Sequence, residues 1–527
     1  MAVITRRGAG LSIRGTWVVA LGVFVIALVA LAVLRDGSGG TGPAATRAER
    51  AALSDPQVRT AVAGGFTRVR TMPLDGETVR VSFFEGPRAV AEAAVGPDGR
   101  VRAVIAHDGL HARVGSDVGQ SPPVLIGLVA LFLVATLRLP LARRENLDAV
   151  ALAAVAAPIL LLNERYLESS VLAGALLLAY LGWRCLRVAA GRADSGSPRR
   201  WVMDVLPARM AWLVAGGAAA GLALLSIPGG LVSDVGYASM AGATQSLDGQ
   251  LPYGNLPSDG LLHGDTYPLL AYVAYVPAAL VGPVRSGFDG LDGALWVATA
   301  WALAAALALG RAGGRRLAVA LLAFPPVMVA ASSGSNDVVA AAFVAGALAL
   351  GARGGRSSAA LAVAGWVKLA PVALLPMWVA RYRARAAIGA GAVTAVLAAA
   401  VLVLGGQAGF GHMVRALSFQ SERGSVMSVW ALLDAPAAQI AFQAAVITGI
   451  ALAAVWVWRD RGLAADPRRV AALGAAVLVA VQLAANHWSV TYLAWVFPLV
   501  AVALLGGSGP RPSRPPAPVS WRPAARP

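Results

Sequence analysis

The sequence predicts an all-α polytopic membrane protein with one small extracytoplasmic α+β domain inserted after its first span. Three observations predict it. The 527-residue chain is 57% hydrophobic and only 13% charged, with a mean hydropathy of +0.67, whereas an ordinary soluble domain carries about 25% charged residues. Apolar segments recur along the chain, about 12–14 of them, some too irregular for a simple crossing and read as re-entrant. Between residues 35 and 121 that pattern stops, and 11 arginines stand against 10 acidic residues, a balance suited to water. The net charge of +17, from 44 basic and 27 acidic residues, would suggest nucleic acid on a soluble chain. On one this apolar it reflects arginines holding cytoplasmic loops against anionic membrane lipid, and no nucleic-acid partner is expected.

In chain order, residues 1–34 form a cytoplasmic N-terminus and a span from Trp17 to Leu34, behind Arg6, Arg7 and Arg14. The apolar stretch is long for a signal peptide and no small-x-small site follows, so it reads as a signal anchor. Residues 35–121 begin with a helical pattern over 45–64. Alternating runs follow at Phe66–Met72, Thr78–Glu85, Arg88–Val95 and Arg100–His107, separated by turn chemistry at 74–77 and 96–99. One helix on an antiparallel meander is expected, as a structural module or a dock for a protein partner.

Additional spans over 122–204 begin at 122–137, 148–162 and 169–186, and the core over 205–506 opens with 208–227. Arg138, Arg143 and Arg144, then Arg184, Arg187, Arg192, Arg199 and Arg200, mark cytoplasmic loops. The loop from Ser226 to Thr266 has four aspartates and no Lys or Arg, so it falls outside. Apolar segments continue at 267–283, 292–310, 317–332, 338–351, 357–380, 386–404, 437–458, 469–485 and 488–506, with arginine clusters at the cytoplasmic turns. The Pro/Arg-rich tail over 507–527 reads as disordered in the cytoplasm.

Alternation of sides fails in two places. Tyr267–Val281 must be re-entrant or interfacial, and 357–380 starts and ends with arginines, so it reads as two half-spans meeting near Lys368 and Pro371. Irregular backbone at membrane depth is tolerated only against protein or a water-filled cavity. Both breaks therefore point to a cavity opening outward.

The polar residues gather at the outer ends of the spans. Ionisable groups at a membrane edge are functional by default, and function is favoured for Asp234, Lys368 and Arg423. Asp248, Asp259 and Glu422 read as ordinary loop polarity. Asp234 at the mouth of a cavity would serve as general base toward a hydroxyl; Lys368 and Arg423 would hold an anionic leaving group, a lipid phosphate. Lys368 is the only lysine in the chain, and Cys185 the only cysteine, which excludes an intrachain disulfide. Asp234, Asp265 and His263 leave a divalent metal open without making a spaced ligand cluster, so no metal site is assigned. Tyr237, Tyr253 and Trp430 are candidates for stacking on a sugar. No Gly-rich phosphate loop follows a strand.

Ser233-Asp234-Val235-Gly236-Tyr237, Asp248-Gly249-Gln250-Leu251-Pro252-Tyr253 and Asp265-Thr266-Tyr267-Pro268-Leu269 resemble the first external loop of glycosyltransferase family 87. Gly334-Ser335-Asn336-Asp337, Val367-Lys368-Leu369-Ala370-Pro371, Glu422-Arg423-Gly424-Ser425, Ser428-Val429-Trp430 and His487 with Tyr492 and Trp495 follow in matching order. The resemblance covers roughly residues 205 to 505 and implies a GT-C-like membrane core. It also implies an inverting transfer of a sugar, mannose in that family, from a polyprenyl-phosphate donor to an extracytoplasmic glycolipid or polysaccharide acceptor. Asp234 takes the place of the base. Lys368, Arg423 and His487 would surround the donor phosphate, with Tyr237, Tyr253, His263, Asp265, Tyr267, Asn336, Asp337 and Ser428 as further substrate-binding positions. No cofactor is implied beyond the lipid-linked donor, and the setting would be the plasma membrane. The chain departs from the family in Tyr267-Pro268-Leu269, where Tyr-Pro-Pro is usual, and in its first 200 residues. A transporter or lipid-carrier flippase is the alternative; it would show internal repeats and charges at span centres, and neither is evident.

Overall fold

A computed structural model of the chain describes residues 43–73, 78–86, 88–106, 115–116, 118–143, 145–192, 200–227, 230–256, 264–285, 291–422, 425 and 427–506. The expected span at 17–34 and the tail after 506 lie outside the described residues.

Residues 43–106 form the antiparallel meander that the sequence predicts, with two helices where one is expected. Helices Pro43–Ser54 and Pro56–Ala61 cover a four-stranded antiparallel meander, β1 (Arg68–Pro73), β2 (Val79–Glu85), β3 (Arg88–Val95) and β4 (Val101–Ala106), in sequential order. The second helix starts where the Asp55 carboxylate accepts the N–H groups of Gln57 (2.8 Å) and Val58 (3.3 Å), with Pro56 in the first turn. The pairs Val81↔Ala93 and Phe83↔Ala91 place these side chains on one face, where they pack with Ala48, Ala52 and Val58. Phe84 and Ala89 point to the other face and pack on Leu167, Leu162 and Met427. The sheet is thus buried on both faces, its second face against the helical bundle.

Among the described residues seven helices are long and apolar enough to cross a membrane: Asn146–Asn163, Leu167–Ala189, Arg209–Ser226, Asp292–Gly313, Ala384–Phe419, Pro436–Arg459 and Pro467–Ala484. Helices Arg315–Leu322 and Pro325–Ser332 make an eighth if taken together, bent by 58°. The bend falls where Pro325 and Pro326 remove N–H donors and restrict Phe324. Helix Asp337–Ala349 has 13 residues, about 20 Å at 1.5 Å each, short of a hydrocarbon core of about 30 Å. It lies inside the bundle, against Asp292–Gly313, Gly354–Val367 and Leu493–Val500. Small residues let helices approach closely: at Gly389 of Ala384–Glu422 a Cβ would clash with the Gly355 carbonyl oxygen of Gly354–Val367.

The two irregular stretches are broken. Residues 267–283 contain only the short helices Leu270–Val273 and Val276–Ala279. Helix Gly354–Val367 ends at Lys368, whose backbone is extended (φ −138°, ψ 135°), and a 3-10 turn Ala370–Leu374 leads into Leu375–Tyr382. The span expected at 386–404 runs further: helical structure covers Ala384–Glu422, with a break at Gly406 (φ 59°). Beyond that glycine the residues are more polar, so the apolar pattern stops while the helix resumes.

The bundle has two unlike ends. Helix Gly354–Val367 leads from Arg353 and Arg356 to Lys368, and Pro436–Arg459 leads from Gln439, which donates to Asn486 Oδ1 at 2.6 Å, to Arg459. At the arginine end the Arg383 guanidinium lies 3.1 Å from the Trp458 ring centre, and Arg469 pairs with Asp460 at 3.4 Å. The small domain docks at the other end, which also holds the candidate site.

Candidate active site

A cavity of about 290 Å³ opens at the end of the bundle that carries Lys368 and His487. Its wall includes Asp234, Tyr267, Asp337, His487 and Tyr492, contributed by segments far apart in sequence.

Asp234 opens helix Asp234–Leu247. Ser233 caps that helix: its hydroxyl accepts the Gly236 N–H at 3.2 Å and donates to the Ser333 carbonyl at 3.0 Å. Gly236 permits the contact, since a Cβ there would lie 2.9 Å from the Ser333 carbonyl oxygen and 2.5 Å from Val232. The helix start is thereby pinned to the 333–334 turn, with the Asp234 carboxylate exposed and accepting only the neighbouring Val235 N–H, at 2.8 Å, among its described hydrogen bonds. An acid in the first helical turn also suits the helix dipole, so the position is favourable apart from any chemistry. The strand leading to it, Gly230–Leu231, pairs with Gly115–Ser116 at the exit of the small domain.

Lys368 and Asp337 form an ion pair of 3.3 Å, their side chains 9% and 1% exposed. The Asp337 carboxylate also accepts the Trp495 indole N–H at 3.0 Å and the Ser335 hydroxyl at 2.7 Å. The ammonium lies 4.6 Å from the centre of the Tyr267 ring and 5.3 Å from that of Tyr492, both within range of cation–π attraction. Lys368 is therefore a fixed charge held behind Asp337 and two aromatic rings. Next to Asp337, Asn336 is fully buried, and its amide N–H donates to the Ser239 hydroxyl at 3.4 Å.

His487 reaches the cavity from the last helical segments, its Nδ1 2.7 Å from the Ser425 hydroxyl and its ring against Tyr492. Ser428 caps helix Val429–Leu433 through the Trp430 N–H (3.2 Å) and donates to the Ala485 carbonyl at 3.2 Å. Its hydroxyl is occupied in holding the segment that carries Ser425. Asp265 accepts the Gly254 N–H at 3.0 Å, and the Tyr253 hydroxyl donates to the Tyr267 carbonyl at 3.1 Å. Burial, and secondly the Asp265 carboxylate, push the Tyr253 phenol well above its ordinary range, so it stays a donor. These two residues shape the loop that presents Tyr267.

The expected site residues thus divide. Asp234, Tyr267, Asp337 and His487 share one wall, and Lys368 and Asn336 stand directly behind it. Tyr253, Asp265 and Ser428 hold the backbone around it. Tyr237 is 1% exposed in the core, Tyr253 is 3% exposed, and Trp430 is 6% exposed with its indole N–H donating to the Leu483 carbonyl; none presents an open ring face to a sugar. The rings in the wall are those of Tyr267 and Tyr492. His263 and Arg423 lie outside the described residues, and among the described residues no three His, Cys, Asp or Glu side chains gather as a metal site would require. Sequence reasoning missed Gln120, Arg165 and Thr491, which also line the cavity. Arg165 had a visible signal, the polar step Asn163-Glu164-Arg165 between two apolar segments.

Fold and site together define a polytopic helical membrane protein with an acid- and imidazole-lined cavity at one end of its bundle. Over residues 266–485 the chain matches the model of glycosyltransferase family 87, the family that its motifs resemble. The matched stretch contains Tyr267, Asn336, Asp337, Lys368, Arg423 and Ser428; Asp234 lies well before it and His487 just after it. No curated protein and no solved structure matches the chain significantly.

Proposed function

We propose that this protein transfers a sugar, mannose, from a polyprenyl-phosphate donor to a glycolipid or polysaccharide hydroxyl on the extracytoplasmic side of the plasma membrane. Asp234 takes the proton of the acceptor hydroxyl as general base. The acceptor oxygen attacks the anomeric carbon from the face opposite the phosphate, the bond from that carbon to the phosphate oxygen breaks, and the configuration inverts. The electron pair leaves on polyprenyl phosphate, whose charge Lys368, Arg423 and His487 stabilise. Tyr267 and Tyr492 offer ring faces to the sugar. The donor is a substrate, and the reaction as written uses no metal.

The observation that carries this reading is the shared cavity: an exposed carboxylate at a pinned helix start lines it together with His487 and with Asp337, the partner of Lys368, in a chain that matches the family 87 model over residues 266–485. Asp234→Asn keeps size and shape and removes the base. It is expected to insert and melt like the native protein while losing at least about 100-fold in transfer rate, the usual worth of a positioned acid or base. The check is transfer from synthetic polyprenyl-phosphate mannose to membrane acceptors by purified protein. Full activity in this variant removes Asp234 as the base.

A further inference from the structure

The segments before the family-matched stretch enter the cavity at Arg165. This residue sits between helices Ala156–Asn163 and Leu167–Ala189, is 7% exposed, and has φ +69°. A left-handed backbone is uncommon for arginine, and such strain persists only where the surroundings over-determine it. Here they do. The Arg165 N–H donates to the Leu162 carbonyl at 2.9 Å, the Tyr166 N–H to the Leu161 carbonyl at 2.8 Å, and the Arg165 carbonyl accepts the Ala89 N–H of β3 at 3.1 Å. Phe84 and Ala89 pack on Leu162 and Leu167 at either side of the turn, and Glu168 takes Arg68 and Arg70 of β1 at 2.9 and 3.0 Å. The docked domain therefore grips the turn that delivers Arg165.

Charge gives the turn a purpose. Among the described residues lining the cavity, Arg165 is the only Lys or Arg, alongside the carboxylates of Asp234 and Asp337. The Lys368 ammonium is held against Asp337. A phosphate entering beside two carboxylates requires a cation in the wall itself, and a guanidinium offers two parallel donors to phosphate oxygens. We propose that Arg165 binds the phosphate of the lipid-linked donor and that the docked α+β domain positions it. The inference rests on the lipid-phosphate donor proposed above and assigns part of its binding site to the segment outside the family-matched stretch.

The test measures binding of polyprenyl phosphate and of polyprenol of equal chain length to full-length protein in nanodiscs, at two salt concentrations. The native protein is expected to prefer the phosphate by at least about tenfold, the worth of a hydrogen bond to a charged group, with the preference shrinking in salt. Arg165→Gln is expected to cut the preference several-fold, leaving the share that Lys368, Arg423 and His487 supply, and Arg165→Lys, which keeps charge without the fork, to fall between. Arg165→Gly accepts the positive φ without strain, so it is expected to fold and to cut the preference as Arg165→Gln does. A folded Arg165→Gly with native preference overturns this inference and leaves the donor reading standing. Equal binding of the two lipids by the native protein overturns the donor reading and this inference with it.

Discussion

Asp337 gathers an ammonium, an indole N–H and a hydroxyl around a carboxylate that is 1% exposed. A buried charge so placed is stable only while its partner remains. Lys368→Met is expected to lower stability by about 3–5 kcal/mol, because it strands a carboxylate among apolar helices. Adding Asp337→Asn removes that charge and is expected to recover most of the loss, as thermal unfolding in detergent will show. A single variant as stable as the native protein would mean that the pair contributes little to the fold. Each residue stood out in the sequence, Lys368 as the sole lysine within an apolar stretch and Asp337 within a short polar motif. Their meeting was not legible, because it depends on helix Gly354–Val367 stopping at Lys368 beside the first turn of Asp337–Ala349. The three aromatic candidates failed for a related reason: sequence shows which rings exist, while packing decides which keep an open face.

At the level of elements, the four strands of the small domain were legible because alternation and turn residues are local signals. Its docking was not. Arg70 reads as an ordinary strand arginine, yet it is 7% exposed and donates to Glu168 (3.0 Å) and to the Ala431 and Leu432 carbonyls (2.6 and 3.4 Å). Phe84 and Ala89 give only a narrow apolar second face, too small to announce a partner surface. Arg70→Ala is expected to loosen the dock by about 2 kcal/mol, the scale of hydrogen bonds to a charged group. Amide hydrogen exchange over residues 88–95 is then expected to quicken, and transfer to fall several-fold through the Arg165 turn, with the bundle helices unchanged in exchange. Unaltered exchange at Ala89 would show that the dock does not depend on this guanidinium. The kinked Ala384–Glu422 segment was half legible for the opposite reason: hydropathy marks its apolar half, and the more polar half beyond Gly406 is helical by continuity.

On the scale of the whole molecule, the two ends of the bundle carry different chemistry, and the proposed reaction requires them to face different compartments. Arginine loops at one end favour the cytosol by the positive-inside rule, and the proposed reaction puts the small domain and the cavity outside, where a lipid-linked sugar can be met without a nucleotide donor. Cys185, the only cysteine, is fully buried, so the native protein is expected to be silent to a membrane-impermeant maleimide and needs no background substitution. Asp98→Cys places a thiol at the β3–β4 turn and gives up an exposed 3.1 Å pair with Arg102, which contributes little to stability, and an exposed hydrogen bond from the Arg100 N–H at 3.2 Å. Arg356→Cys places one at the opposite end, on an exposed position of the first turn of Gly354–Val367. Intact cells are expected to label Asp98→Cys fully and Arg356→Cys only after permeabilisation. The reverse order would turn the cavity toward the cytosol, and an extracytoplasmic transfer could not survive it, because Asp234, His487 and the Asp337–Lys368 pair would all move with that end of the bundle.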